Sequence, residues 1–392
     1  MKSTSTVRLA AAFTLLLPAI VLALAASAAW WPASAGQPGQ REPNQAGPPR
    51  EAPGHARFAP RTRISIDGGK WHINGRLTYP GAKAEGLLLN VRMVNAVFED
   101  RKRPDFNPQS NTDEFLAALA DYHEHGVRAF TICLQGGMPG YEGAVNSAFE
   151  PSGELRGEYL SRVRRVIEAC DRQGIAVILG GYYQRQDQVL ADEAAVRQGV
   201  VNVARWIRES GFTNVLLEIA NEYPHDGFDH RLLKTAQGQA ELIELARREA
   251  PGLLVSTSGI GDGKLDREVA EASDFLLIHF NGVRVQDIPD RIAAARALGG
   301  PGKPVVCNED DKLAAEAARA AEASVANGAS WGLMLLKHNQ EFPFTFKGAA
   351  DDPVVYAKLK ELSRGSGDEG KAGTGDARQG DPPRGQLERR PG

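Results

Sequence analysis

The sequence predicts an α/β protein built as a (β/α)8 TIM barrel with a short N-terminal β-hairpin cap. Apolar runs of strand length alternate with amphipathic stretches of helix length eight times along the chain. The runs are almost continuously apolar, as parallel strands covered by helices on both faces must be. Polar residues gather where each run ends, and in a barrel of this kind that end forms the working rim.

Taken in order, Lys2 and Arg8 precede an apolar run from Leu9 to Ala29, with the small-residue sites Ala26-Ser27-Ala28 and Ala33-Ser34-Ala35 behind it. This is the pattern of an export signal over residues 1–35, and it places the protein in the periplasm or outside the cell. About 20 apolar residues also suffice to span a bilayer, so the same run, left uncleaved, would be an N-terminal anchor and the protein's only membrane contact. From 36 to 60, Pro, Gly, Gln and Arg dominate with almost no apolar residues, the composition of a disordered linker. Residues 364–392 have the same character and read as a disordered tail. The folded domain is expected over 61–363.

Within it, Asp67-Gly68-Gly69 and Asn74-Gly75 are turn signals around two short strands, the predicted cap. GLLLNVRMV then leads to a helix from Thr112, with Asn111 and Glu114 as its capping pair and Gly126 as its stop. VRAFTICL precedes a helix from Glu158, IAVILGGYY one from Asp192, and VLLEIA one from Arg231. LLVSTSG is followed by a short helix near Lys264, DFLLIHF by one from Gln286, PVVCNE by one from Asp311, and WGLMLLKH by one near Pro353. The helices rest on spacing: Leu160, Val163, Ile167 and Cys170 share one face, as do Val196, Val200, Val203 and Ile207. An open doubly wound sheet is the alternative; it carries a Gly-rich phosphate turn after its first strand, and GLLLNVRMVNAV has none.

With 42% hydrophobic and 24% charged residues, the 392-residue chain can bury one large core. A net charge of −3 lacks the basic footprint of a nucleic-acid partner. Cys133, Cys170 and Cys307 are odd in number and lie in apolar surroundings, so they read as core residues rather than a disulfide framework. A nucleophilic Cys307 would need a histidine partner that the sequence does not place near it. Nothing in the sequence fixes an oligomeric state.

The residues that close the runs are Arg92 and Asn95, Gln135, Tyr182 and Tyr183, Asn221 and Glu222, His279 and Asn281, Glu309, and Lys337 and His338. Amides and charges suit sugar hydroxyls, flat rings suit the apolar faces of a sugar, and paired carboxylates suit the cleavage of glycosidic bonds. Glu222 and Glu309 each end an apolar run, which puts an expensive charge at the edge of a core.

VLLEIANE and GKPVVCNED resemble the fourth- and seventh-strand patterns of clan A retaining glycoside hydrolases, the cellulase and mannanase type grouped in family five or a divergent relative. The resemblance implies an exported β-glycosidase acting by double displacement, with Glu222 as acid/base, Glu309 as nucleophile and no metal or organic cofactor. It further implies that the carboxyl groups lie about 5–5.5 Å apart. Asn221 would bind the sugar 2-hydroxyl, and Arg92 would bind substrate or hold Glu309 ionised. His279, Asn281, Tyr183, Gln135, Lys337 and His338 are the remaining expected contacts to an oligo- or polysaccharide. The negative Glu309 is expected to raise the pKa of Glu222 and keep the acid protonated.

Three departures from the clan pattern stand out. Tyr223 precedes Pro224 after Asn-Glu; the sixth strand reads His279-Phe280-Asn281 where the clan has His-x-Tyr; and Trp331 opens the eighth strand instead of closing it as a sugar platform. These motivate a rival reading, a catalytically silent barrel that binds polysaccharide at a cell surface. A metal-dependent barrel hydrolase is a third, with His279 and His338 the only strand-end histidines for it. His225, Asp226, Asp229 and His230 match no firm ligand spacing, GIGDGKL lacks the residues of a phosphate loop, and His123 and His125 read as solvated ends of a helix.

Overall fold

The computed structural model describes residues 58–103, 105–136 and 143–365. The export segment, most of the linker and nearly all of the tail lie outside the described residues. Among the described residues no helix is long and apolar enough to cross a membrane.

The described residues open with three short antiparallel strands, β1 (Ile64–Asp67), β2 (Lys70–Ile73) and β3 (Arg76–Leu77). The expected Gly68-Gly69 and Asn74-Gly75 turns connect them, with φ of 57° and 75° at the two glycines of the first. Trp71, on β2, is fully buried against Phe275 and packs with Leu88, Ala129, Ala176 and Leu216 at the start of the barrel strands. The cap therefore plugs the N-terminal end of the barrel. Trp71→Ala is expected to lower stability by about 3–5 kcal/mol, as loss of a large buried ring does. Urea unfolding would measure it, and a loss under about 1 kcal/mol would show that the plug is dispensable.

Among the described residues, eight parallel strands follow: β4 (Asn90–Arg92), β5 (Ala129–Cys133), β6 (Ala176–Tyr182), β7 (Val215–Ala220), β8 (Leu254–Ser256), β9 (Leu276–His279), β10 (Val305–Glu309) and β11 (Gly332–Leu333). They pair in the order β11-β4-β5-β6-β7-β8, with β9 beside β10. Parallel bridges Ser258–Leu277 and Val306–Ser330 join the two groups and close the ring. The helices between them are α1 (Pro108–Glu124), α2 (Gly157–Arg172), α3 (Glu193–Ser210), α4 (Arg231–Lys234), α5 (Ala236–Glu249), α6 (Arg267–Ala272), α7 (Ile288–Gly299), α8 (Ala314–Ala326) and α9 (Pro353–Ser363).

Local chemistry explains where these elements start and stop. Asp192 caps α3 through the N–H of Ala195, and Gly211 ends it at φ 74°. The start of α1 differs from expectation. Asn107, not Asn111, is the cap, accepting from the N–H groups of Gln109 and Ser110, and Pro108 fits the first turn because it has no N–H to satisfy. Asn111 instead donates to the carbonyl of Asn95. The eighth strand is also shorter than WGLMLLKH suggested: it stops at Leu333, and Leu336–Gln340 wind into a π-helical turn. All three cysteines are buried and free. Burial pushes the Cys307 thiol well above its ordinary value, the opposite of what a nucleophile needs.

Candidate active site

Glu222 sits just past β7, where the backbone leaves the strand at φ 51°. That left-handed conformation costs a residue with a side chain about 1–2 kcal/mol. Neighbours hold it there: the N–H of Glu222 donates to Ser258 Oγ at 3.0 Å, and that of Tyr223 to the Ser258 carbonyl at 3.0 Å. The turn swings the carboxylate over the barrel mouth, where Oε1 lies 3.2 Å from His279 Nδ1.

Glu309 ends β10, next to a bulge that sets Asn308 and Glu309 together opposite His279 of β9. A bulge adds a residue to one strand and re-aims its side chains. Here Asn308 points into the barrel interior while Glu309 faces the mouth. Arg92, fully buried on β4, places Nε 2.9 Å from Glu309 Oε2 and donates from Nη2 to Asn221 Oδ1 at 2.6 Å. Burial opposes the Arg92 charge, but Glu309 together with the other groups around it, Glu218 among them, outweighs it, and the guanidinium is held charged even more firmly than usual. Asn281 donates from Nδ2 to Glu309 Oε1 at 2.8 Å. It thus makes the contact to the glutamate that the tyrosine of His-x-Tyr would otherwise supply.

His279 lies between the two glutamates, with Nδ1 3.2 Å from Glu222 and 3.5 Å from Glu309. One oxygen of each carboxylate and this nitrogen all lie within 4.8 Å of one another. Burial disfavours a charged imidazole, yet Glu309 and Glu222 prevail and raise the His279 pKa. Burial would likewise raise Glu222, but the hydrogen bond and charge of His279 overcome it and bring Glu222 below its ordinary value. This is opposite to the upward shift expected from Glu309 alone. The sequence shows two carboxylates, but not the imidazole wedged between them.

A cavity of about 400 Å³ opens over the pair, lined by Tyr183, Gln184, Arg185, Glu222, His225, Asn281, Glu309, Asp311, Met334 and Leu336. Of the expected substrate contacts, Tyr183 and Asn281 line it. Asn281 Oδ1 has no hydrogen-bond partner among the described residues. The other expected contacts are placed differently. Both ends of the Asn221 amide are engaged, Oδ1 by Arg92 and Nδ2 by Gln184 at 3.2 Å. Gln135 is fully buried and acts as a strut: it receives the Tyr183 N–H at 3.0 Å and donates to the Gln186 carbonyl at 3.0 Å. Arg92 and His279 are sealed beneath the pair rather than facing substrate. Lys337 is exposed, and His338 lies against Thr345; the π-helical turn carries both away from the cavity lining.

Trp331 is fully buried and donates from Nε1 to Asp310 at 2.8 Å, so it is a core residue and not a platform. Met334 and Leu336 form that wall instead. Sequence reasoning missed Gln184, Arg185, Asp311, Met334 and Leu336 as lining residues. Gln184 was within reach, since it directly follows the strand-closing Tyr183. Met334 and Leu336 read as strand interior because the early end of β11 leaves no mark in the sequence.

Among the described residues, Glu222, His279 and Glu309 are also the group whose ligand atoms converge closely enough for a metal ion. Their chemistry suits protons better than a divalent cation. Arg92 already stands 2.9 Å from Glu309, and its fixed positive charge would repel a second cation there.

No protein-family model and no curated protein matches the chain. Solved structures do. A broad-specificity endoglucanase of family five from Clostridium longisporum superposes with a TM-score of 0.51 at 11% identity, over 73% of this chain and 99% of its own. The endo-1,4-beta-mannanase of Rhizomucor miehei gives 0.52 at 12% identity, over 76% and 98%. A family-five glycoside hydrolase from Bacteroides vulgatus gives 0.51 at 15% identity, over 76% and 69%. At this level of identity the likeness is one of fold: the chain has the (β/α)8 architecture of the clan A glycoside hydrolases, with family-five endoglucanases and mannanases as its structural neighbours.

Proposed function

We propose that this protein is a retaining glycoside hydrolase that cleaves β-glycosidic bonds of an oligo- or polysaccharide by double displacement, with Glu222 as acid/base and Glu309 as nucleophile. The observation that carries this reading is the pair itself: carboxylate oxygens within 4.8 Å across one barrel mouth. Retaining enzymes hold their carboxyl groups about 5–5.5 Å apart, whereas inverting enzymes leave about 6.5–9.5 Å for a water. The fold neighbours, named as endoglucanases and a mannanase, support a β-linked glycan as the substrate class.

In the first step a Glu309 oxygen bonds to the anomeric carbon, the glycosidic C–O bond breaks, and a proton passes from Glu222 to the departing oxygen. In the second, Glu222 takes a proton from water, the water oxygen bonds to the same carbon, and the bond to Glu309 breaks. Bond formation at Glu309 removes its negative charge, which is part of what keeps His279 protonated. The Nδ1 proton is then released toward Glu222 as the leaving group needs it, and it returns when Glu309 is freed. Asn281 lines the cavity beside the nucleophile and holds Glu309 through its Nδ2.

Glu222→Ala is expected to reduce kcat/KM by about 10²–10⁴ on glycosides with poor leaving groups and far less on dinitrophenyl glycosides, whose departure needs no acid, while the second step slows for both. Azide added to this variant should give the β-glycosyl azide, because a small nucleophile enters where water does. Equal losses on both substrate types would refute the assignment. Glu222 and His279 share one essential proton, so kcat/KM should fall as pH rises through their joint deprotonation, above the usual carboxylate range. A profile that instead falls only below pH 4 would contradict this.

The aliphatic wall of Met334 and Leu336, in place of an aromatic platform, favours one second reading, a barrel that binds glycan without cleaving it. Oligosaccharide binding with no reducing ends released by the intact protein would establish that reading instead.

A further inference from the structure

Glu218 lies on β7 four residues before Glu222, fully enclosed in the barrel. Neither chemical step uses it, and an enclosed carboxylate is costly unless its oxygens are satisfied. Ser258 Oγ donates to its Oε1 at 2.6 Å, and Asn308 Nδ2 donates to its Oε2 at 3.2 Å. Each donor reaches the reacting pair from its other side. Ser258 Oγ accepts the Glu222 N–H at 3.0 Å, and Asn308 Oδ1 faces His279 Nε2 at 3.1 Å.

We propose that Glu218 is a positioning residue whose negative charge fixes which nitrogen of His279 is permanently protonated, and so keeps a single mobile proton between His279 and Glu222. This rests on Glu222 being the acid/base.

The argument is one of donors and acceptors. An ionised carboxylate only accepts, so Asn308 must turn its NH2 toward Glu218 and its carbonyl oxygen toward His279. That oxygen also only accepts, so His279 Nε2 must carry hydrogen. The remaining nitrogen, Nδ1, faces Glu222 at 3.2 Å, and one proton lies on one or the other. A neutral Glu218 would reverse the chain. Its O–H would donate to the Asn308 oxygen, the amide would turn over, and its NH2 would face a bare Nε2. His279 would then be a neutral Nδ1–H donor with no proton to give. The same charge orients Ser258: with its hydrogen on Glu218, the hydroxyl turns a lone pair to the N–H that holds Glu222 in its left-handed turn.

The charged groups around His279 are Arg92 from β4, Glu218 and Glu222 from and just past β7, and Glu309 from β10. Burial raises the Glu218 pKa, and the charges of Arg92 and His279 pull it down without cancelling that rise. Removing the charge therefore relieves a burial cost, and Glu218→Gln should fold at least as stably as the parent at neutral pH.

The test uses Glu218→Gln, the double variant Glu218→Gln with Asn308→Asp, and 15N spectra of the imidazoles in protein without substrate. In the parent, His279 should show a protonated Nε2 throughout its titration. In Glu218→Gln, the glutamine NH2 takes the place of the charge and turns Asn308 over, so neutral His279 should become the Nδ1–H form. We expect kcat to fall about 10- to 100-fold, as when a group orienting a reacting residue is lost, with KM within about twofold. The double variant moves the carboxylate one step along the hydrogen-bond relay, from β7 to β10, and should restore both the Nε2–H form and most of kcat. An unchanged tautomer in Glu218→Gln, or a double variant that regains neither, would overturn the proposal. A tautomer switch in a protein that hydrolyses no glycoside would sustain the control by Glu218 and remove the acid/base reading instead.

Discussion

Glu309→Gln is expected to abolish turnover, lowering kcat by about 10⁴–10⁶, the scale on which removing a nucleophile from a cooperating set acts. An amide oxygen cannot form the glycosyl ester. Asp311 also lines the cavity, where burial raises its pKa. The fold should survive, because the glutamine oxygen can still accept from Asn281 or meet Arg92. Single-turnover kinetics with a dinitrophenyl β-glycoside would separate this loss from that of Glu222→Ala. Without the nucleophile no burst of dinitrophenolate should appear, whereas Glu222→Ala should give a burst followed by slow release. A burst of full size from Glu309→Gln would place the nucleophile elsewhere.

Arg92→Met is expected to cost the most stability among changes at the site, about 3–5 kcal/mol, the range for breaking a buried ion pair from one side. Arg92 is fully buried and Glu309 is only 4% exposed, so water cannot replace the lost partner. Asn221 Oδ1 would lose its donor at the same time. A lysine should recover only part of the loss, since one ammonium lacks the planar fork that serves Glu309 and Asn221 together. Activity should fall as well, because the guanidinium no longer holds the Glu309 carboxylate in place. Urea unfolding of Arg92→Met, Glu309→Gln and the double variant would check this. Additive losses in that cycle would show that the two side chains do not act as a pair.

The architecture was legible because it rests on periodicity: eight apolar runs and the helices between them are local signals. Glu222 and Glu309 were legible for the same reason, each closing such a run. What failed to show was long-range or conformational. Gln135 and His279 are polar residues at strand ends, like Tyr183, but their neighbours 12 to 57 positions away bury and engage them. Lys337 and His338 were misplaced because the π-helical turn that carries them off has no propensity signature distinct from WGLMLLKH continuing as strand. Glu218 sits in plain view inside VLLEIA, yet its importance depends on Ser258 and Asn308, 40 and 90 residues further on.

The extra residue in β10 has a structural consequence of its own. Along an unbroken strand, neighbouring side chains point to opposite faces, so a residue adjacent to the nucleophile would belong to the helix-facing layer. By slipping the phase at Asn308, the barrel lets two consecutive residues address the same interior at different depths, one meeting the buried Glu218 and the next lining the cavity. Chemistry and its support are thus coupled across a single peptide bond, and any drift in the pairing of β9 with β10 would disturb both at once.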